Sequence, residues 1–527
     1  YGLKKVDHTA SPTMAWLSVA YMFYISCATA GAVNLYSARA FSQRGKQLDQ
    51  EVQFGPLGDI VSSATNAVGD ALGSAVDSMT SSAAKALLGD MAVDNFDLPP
   101  PGTHAVNQQV VLCAIAMLVV LGVGCALDMF LAPPKSSTRP SYLCLAALLG
   151  SYALLLPGLV TTLFQFILGV EVLGVKVILT QVDGDYAPIV ESAVGVVHLL
   201  FKTGGWIGAF LLILYAIVVP AVKIVALIMA ELWREDQDPR KVRMAKHMVE
   251  VVQIISKWAC PDMFAYILLL YLFRHLDGAG GVVAAPAQLG IGFACFSLFC
   301  VFSTFSTLMV QAPAVSETIE VASPPWVLRT FGSESLFSVA AIAFLGFMAT
   351  FVIGLFTPAM AIFLDSGLFL KPNGPLDASM KPLLDSLHIE DLVNAEVTIS
   401  GATRALMGYI AKGELNDIFA VLMLSVFVIT LPVVNMLCLL LASCNMSNPD
   451  AAWRFIRISR VLKHIEMLDV AIMGIIVVTC AGTAYHKEGV MFSVMAGLWV
   501  LLLAEAFHYF IHFQVHSAYN SLTQAKA

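Results

Sequence analysis

Long apolar runs alternate along this chain with short polar interruptions. A bilayer's hydrocarbon core is crossed by about 20 consecutive apolar residues of helix. Ten runs reach that length, at 14–36, 106–131, 142–168, 206–231, 248–273, 285–311, 336–363, 416–443, 466–485 and 490–513. The pattern predicts an all-α, polytopic transmembrane protein of about ten spans. One run carries an anomaly: in "ISKWACPDMFAYILLLYLF" (Ile255–Phe273) Pro261 and Asp262 set a helix breaker and a chargeable group side by side in apolar sequence. A different periodicity appears between Pro56 and Gly89, where Leu57, Ile60, Val61, Ala64, Val68, Leu72, Val76 and Met79 recur at helical spacing with Asp59, Asp70 and Asp77 between them. This predicts an amphipathic helix. Its acidic polar face suits docking against loops or a partner better than lying on a membrane. "DLPPPGTH" (Asp97–His104) then stops it.

Basic residues orient the spans. Arg234, Arg240, Lys241, Arg243 and Lys246 cluster in one short loop and Arg454, Arg457, Arg460 and Lys463 in another, which marks both as cytoplasmic. Ten spans then place both termini, Lys135 and Arg139 on that side, with loops 37–105, 169–205 and 364–415 outward. Spans three to ten divide into two blocks of four with matching features. "VVPAVKIV" with Pro220 corresponds to "TLPVVNML" with Pro432, and Pro157 to Pro358. Asp262 and Asp469 each follow a basic loop, with Lys257 matching His464. An even number of spans gives both blocks one orientation, a parallel repeat. The expected organisation is a two-span region over 1–140, a four-span repeat over 141–312, a cytoplasmic linker over 313–335 and a second repeat over 336–527.

Composition narrows the function. Of 527 residues, 58% are hydrophobic and 13% charged, against about 25% charged in soluble proteins. A formal charge of −8 provides no basic face for nucleic acid. The ten cysteines are scattered without a C-x-x-C pair, so neither a disulfide framework nor a zinc ribbon is expected. The chain opens at Tyr1, which leaves room for a targeting segment ahead of it. No nucleophile elbow, phosphate loop, H-E-x-x-H or dinucleotide turn is present, so no enzymatic activity is expected.

The polar residues inside apolar runs remain. An Asp at mid-span costs about 2.5–3.5 kcal/mol, so it is placed against a partner or a wet cavity. Lys223 is the expected partner of Asp262 and Asn435 of Asp469, which makes the first half charge-paired and the second only hydrogen-bonded. Lys223, Asp262, Asn435 and Asp469 would then form the polar base of an intramembrane groove between helices kinked at Pro157, Pro220, Pro358 and Pro432. The alternatives are that both Asp residues brace helix ends near the interface and that the prolines improve packing. In the last span Glu505, His508, His512 and His516 share one helical face, and His pairs at this spacing can hold metal. One helix supplies too few ligands, so no metal is assigned. The histidines are expected near the cytoplasmic interface, with Tyr509 and Phe507 as anchors.

These residues resemble the paraquat-inducible protein A (PqiA/LetA) family, whose members carry two four-span domains with W-S-M-L-D-V-F opening a helix after a basic loop. Trp258, Asp262 and Phe264 match the first copy, and Met467, Leu468, Asp469 and Val470 the second. "TISGATRALMGYIAKGELNDIFAVL" (Thr398–Leu422) and its counterpart "VESAVGVVHLLFKTGGWIGAFLL" resemble the segment that enters the following span. The resemblance covers about 141–515, and it departs from the family where Ala259, Cys260 and Pro261 replace S-M-L. The zinc-ribbon cysteines of bacterial members are missing. The resemblance implies a non-enzymatic membrane partner of mammalian-cell-entry (MCE) domain proteins that moves lipid between membranes, with bound lipid and no other cofactor. A structural or assembly subunit of a larger membrane complex is a second reading, and an ion- or proton-coupled carrier a third.

Overall fold

The computed structural model describes residues 92–93, 104–131, 140–167, 169–172, 175–178, 181–182, 185–186, 189–276, 283–313, 329, 335–364, 395–482 and 490–526. Among them, nine helical segments are long and apolar enough to cross a membrane, so the chain is an all-α, multi-pass protein as its periodicity predicts. The run at 14–36, the amphipathic stretch 56–89 and the prolines at 99–101 lie outside the described residues.

Thirteen helices are numbered here in chain order. They are α1 (His104–Leu131), α2 (Tyr142–Val160), α3 (Ala193–Thr203), α4 (Trp206–Leu232), α5 (Pro239–Ile255), α6 (Pro261–Leu276) and α7 (Ile291–Met309). Then follow α8 (Ser335–Phe356), α9 (Ile399–Ala411), α10 (Asn416–Cys444), α11 (Pro449–Ile465), α12 (Leu468–Gly482) and α13 (Ala496–Lys526). Local chemistry sets several ends. Ser192 and Thr398 cap α3 and α9 by accepting the amides of Gly195 and Gly401. Gly204 and Gly413, at φ +91° and +94°, take the left-handed conformation just beyond the same two helices. Asp238 and Asn448 cap α5 and α11, each with proline at the first helical position.

Four apolar runs are not helical throughout. The strands β1 (Phe164–Phe166), β2 (Ile189–Glu191) and β3 (Ala287–Leu289) form one antiparallel sheet with β1 in the middle. The strands β4 (Met360–Leu364), β5 (Ala395–Val397) and β6 (Val490–Val494) form another with β4 in the middle. Hydropathy does not distinguish a short buried strand from the end of a helix, which is why the runs at 142–168, 285–311, 336–363 and 490–513 read as unbroken spans. In both sheets the central strand follows a long helix, and the two flanking strands precede a short helix and a long one. A further ladder joins Ala92–Val93, Val175–Ile178, Gly169–Val172 and Val283–Ala284.

The prolines divide into three situations. Pro157 lies in the last turn of α2, where its carbonyl accepts the amide and hydroxyl of Thr161 at 2.9 and 2.6 Å. Pro358 follows α8, which ends at Phe356, so it stops that helix and does not kink it. Pro220 and Pro432 are inside α4 and α10, each directly after a π-helical stretch, Leu214–Val218 and Met423–Thr430. The widened turn makes room for a ring that has no amide to offer.

The core is centred on α6, α7 and α12, and α6 and α12 pack directly on one another. Gly474 permits that approach: a Cβ there would meet Phe264 Cβ at 2.6 Å, the Pro261 carbonyl oxygen at 2.7 Å and the Ala265 amide at 3.2 Å. Gly474→Val is expected to cost about 1–3 kcal/mol by overpacking and to lower the unfolding midpoint in mild detergent. Gly408→Ala, where nothing lies within 4 Å of the new atom, is expected to leave the midpoint level or raise it slightly. Equal midpoints for the parent and Gly474→Val would refute the close seam.

Candidate functional site

The anomaly at Pro261–Asp262 is resolved by a break in the helix. α5 ends at Ile255, Ser256–Ala259 tightens into a 3-10 turn, and Pro261 opens α6. Asp262 is therefore in the first turn of a helix, and the expectation of a carboxylate at mid-span is corrected. A negative group there also meets the positive end of the helix dipole. The second half repeats this: α11 ends at Ile465, Glu466 is extended, and Asp469 lies in the first turn of α12. The family-motif residues Phe264, Met467, Leu468 and Val470 are wholly buried around these starts. Trp258 is half-buried, its ring stacked on Tyr215 at 6.3 Å.

Around the two breaks lies a connected polar cluster. Lys257 Nζ is 2.7 Å from Asp469 Oδ2, and the Tyr509 hydroxyl donates to the same oxygen at 2.8 Å. Asp469 Oδ1 accepts the Val470 amide at 2.9 Å. Lys463 Nζ donates to Glu466 Oε1 at 2.5 Å and Glu505 Oε1 at 2.9 Å, and lies 3.5 Å from the Tyr509 ring centroid. Asn435 Nδ2 donates to Glu466 Oε2 at 2.9 Å and is 3.0 Å from His508 Nε2, while Asn435 Oδ1 accepts from Ser459 Oγ at 2.6 Å. A flipped amide would turn its oxygen toward the Glu466 carboxylate, so Nδ2 faces His508 and Nε2 is the acceptor. The imidazole proton is then on Nδ1, 3.4 Å from Glu466 Oε1 and 3.5 Å from Glu505 Oε2.

This geometry corrects the expected pairings. Lys223 is 0% exposed, but its Nζ donates to Ser256 Oγ at 2.6 Å and the Ser303 carbonyl at 2.7 Å, not to Asp262. Asp262 is equally buried, and neither of its oxygens has a hydrogen-bond partner among the described residues. Asn435 joins Glu466 and not Asp469. The charge-paired aspartate is thus Asp469, through a lysine of the other half. The direction is reversed because the α5–α6 break swings Lys257 across to α12, a displacement that spacing along the chain does not encode. Lys223, Asp262 and Asn435 lie in packed interior and do not line an open groove. Tyr509, expected as an anchor, is 46% exposed and also donates to Asp469, whereas His508, expected near the interface, is 0% exposed.

The opposite end of α6 carries a second cluster. Arg274 donates from Nε to the Ala287 carbonyl at 2.9 Å, from Nη1 to Asp417 Oδ2 at 2.6 Å and from Nη2 to Glu414, with its guanidinium 4.0 Å from the Tyr409 ring centroid. Asn416 Nδ2 donates to the Leu289 and Gly290 carbonyls at 2.7 and 3.1 Å. Burial raises the Glu414 carboxyl above its ordinary value, against the pull of Arg274. Sequence reading missed Arg274, Glu414, Asp417, Glu466 and the role of Lys463. Single charges bordering apolar runs were the available signal, but their partners are 140 and 143 residues away in the case of Arg274.

The four polar residues of α13 do not gather into one ligand set. Glu505 and His508 join Glu466, with ligand atoms within 4.8 Å of one another. Lys463 Nζ already occupies the space between the two carboxylates, so a cation there would meet a resident ammonium. His512 and His516 stack on each other further along, ring centroids 4.2 Å apart. Asp469→Asn is expected to cost about 3–5 kcal/mol, because it leaves Lys257 buried without its counter-charge. Asp262→Asn, which breaks no ion pair, is expected to cost on the order of 1 kcal/mol or less. Unfolding of both variants in detergent checks the difference, and equal losses would overturn the assignment of the pair.

Residues 177–318 match the family model for paraquat-inducible protein A. That range holds α3 to α7, including the Lys223, Asp262 and Arg274 positions. No curated relative matches the chain. Among solved structures, it is similar to SecDF, a translocon-associated membrane protein from Thermus thermophilus, at 13% identity and a TM-score of 0.19, over 80% of this chain and 62% of that one. A super-membrane-facing form of SecDF aligns at 11% identity and a TM-score of 0.18, over 81% and 63%. The chain spans under two thirds of either protein's length, and at those scores the likeness carries no argument. Residues 177–318 are thus similar to the paraquat-inducible protein A family, within a chain that has nine helical segments long and apolar enough to cross a membrane among its described residues.

Proposed function

We propose that this protein is a non-enzymatic membrane component that handles lipid for an MCE-domain partner, with both termini on the cytoplasmic side. The family match over 177–318 carries the reading. In this reading the chain holds two copies of one four-span unit, consistent with the two sheets of like strand order, and the α6–α12 seam is their fixed axis. The Lys257–Asp469 pair at one end of α6 supports a seam that stays closed, and Arg274 at the other end ties α6 to α10. Lipid then moves along the outer faces of α4 and α10, where the π turns before Pro220 and Pro432 weaken the helices. On α4, Phe210, Val222, Val225 and Ile228 are exposed apolar residues that suit acyl chains.

A structural or assembly subunit is the second reading. α1 favours it, because it lies outside the matched residues and only 17% of its span is buried, which leaves a long apolar face for another membrane protein. Purification in mild detergent followed by mass spectrometry of lipids and proteins separates the two. Co-purified phospholipid together with an MCE-domain protein is the expected result. A stoichiometric complex without an MCE domain would favour the second reading, and neither lipid nor partner would sink both.

A further inference from the structure

Two thiols outside the polar clusters are held against each other. Cys113 lies on α1 and Cys295 near the start of α7, 182 residues apart in sequence, with their Sγ atoms 3.5 Å apart. Cys295 is 2% exposed and Cys113 half-buried. α1 is held by its neighbours. A Cβ on Gly124 of α1 would meet Ala146 Cβ of α2 at 2.6 Å, so these two helices are in close contact. Asn107 of α1 donates to the Gly413 carbonyl at 2.8 Å and accepts the Leu415 amide at 3.3 Å. Cys260 and Cys300 also interact with each other but are both 0% exposed, Cys144 donates to the Ser306 carbonyl, and Cys125 and Cys444 are exposed.

We propose that Cys113 and Cys295 are the site of a reversible disulfide that pins α1 to the first half of the protein. A disulfide needs its sulfurs about 2.05 Å apart, so closure calls for the two sulfurs to approach by about 1.5 Å. The oxidant is a small disulfide. The Cys113 thiolate attacks one of its sulfurs and expels the first thiol, leaving a mixed disulfide. Cys295 then attacks the Cys113 sulfur and expels the second. Two protein thiols and one external disulfide become one protein disulfide and two external thiols, with both protons leaving on the expelled thiols. Cys113 reacts first because it is the less buried of the two and so the one an external disulfide reaches. The latch would add a covalent tie to the packing and hydrogen bonds that already hold α1.

The full chain in mild detergent is treated with 4,4′-dithiodipyridine, which releases two coloured thiones for each intramolecular disulfide formed. Trypsin digestion under non-reducing conditions is followed by fragment sequencing of linked peptides. The expected product joins residue 113 to residue 295, disappears on reduction, and is lost in Cys113→Ser and Cys295→Ser but retained in Cys125→Ser. The unfolding midpoint of each serine variant under reducing conditions should equal that of the parent, which shows that a lost link reflects a lost thiol and not a lost fold. Stable pyridyl adducts on Cys113, a link from Cys295 to another thiol, or no link while Cys125 and Cys444 react would each overturn the proposal.

Discussion

The ion pair between Lys257 and Asp469 is the constraint on which the packing of this protein turns. Each charge loses several kcal/mol of hydration on burial, and the loss is offset only by close, well-directed partners. Lys257 comes from the break before α6 and Asp469 from the first turn of α12, so the pair is satisfied only if those two helices begin side by side. Gly474 lets their backbones approach, while Arg274 with Glu414 and Asp417 ties the other end of α6 to the start of α10. Opening this seam would strand several buried charges at once, whereas the outer helices expose apolar faces that a bilayer satisfies without any partner.

The breaks before α6 and α12 also place the charges along the membrane normal. α6 has 16 residues and α12 has 15, a rise of about 22–24 Å at 1.5 Å per residue, short of the roughly 30 Å of a hydrocarbon core. Lys257, Asp262 and Asp469 therefore lie at one end of the crossing and not in its middle. The amphipathic helices α5 and α11, which carry the basic clusters, continue the chain from that end. The cost of the carboxylates falls with that position, so a charge beside a proline is tolerated in an otherwise apolar stretch.

The two halves share a strand order, capping residues and π-turn prolines, yet their polar contents differ. The first half buries one lysine on α4 against a serine hydroxyl and a backbone carbonyl, and leaves Asp262 without a side-chain partner among the described residues. In the second, Asn435 occupies the matching place, and Lys463, Glu466, Glu505 and His508 form a network around it. The first half thus has few polar contacts of its own and the second a dense charge network, and the cations that bridge them, Lys257 and Arg274, both belong to the first half.

By itself the sequence determined the membrane class, the number and placement of most crossings, and the family resemblance. These follow from local signals: twenty apolar residues must be helical in lipid, and a short motif is read in place. Strand ends inside the apolar runs, the stop at Pro358 and the helix start at Pro261 were decided by tertiary pairing, because a terminal turn and a buried strand have the same hydropathy. The partners of Asp262, Asp469, Lys223 and Asn435 were decided there as well. A buried charge takes whichever counter-group the packed helices bring within about 3 Å, and that distance is set by the fold and not by separation along the chain.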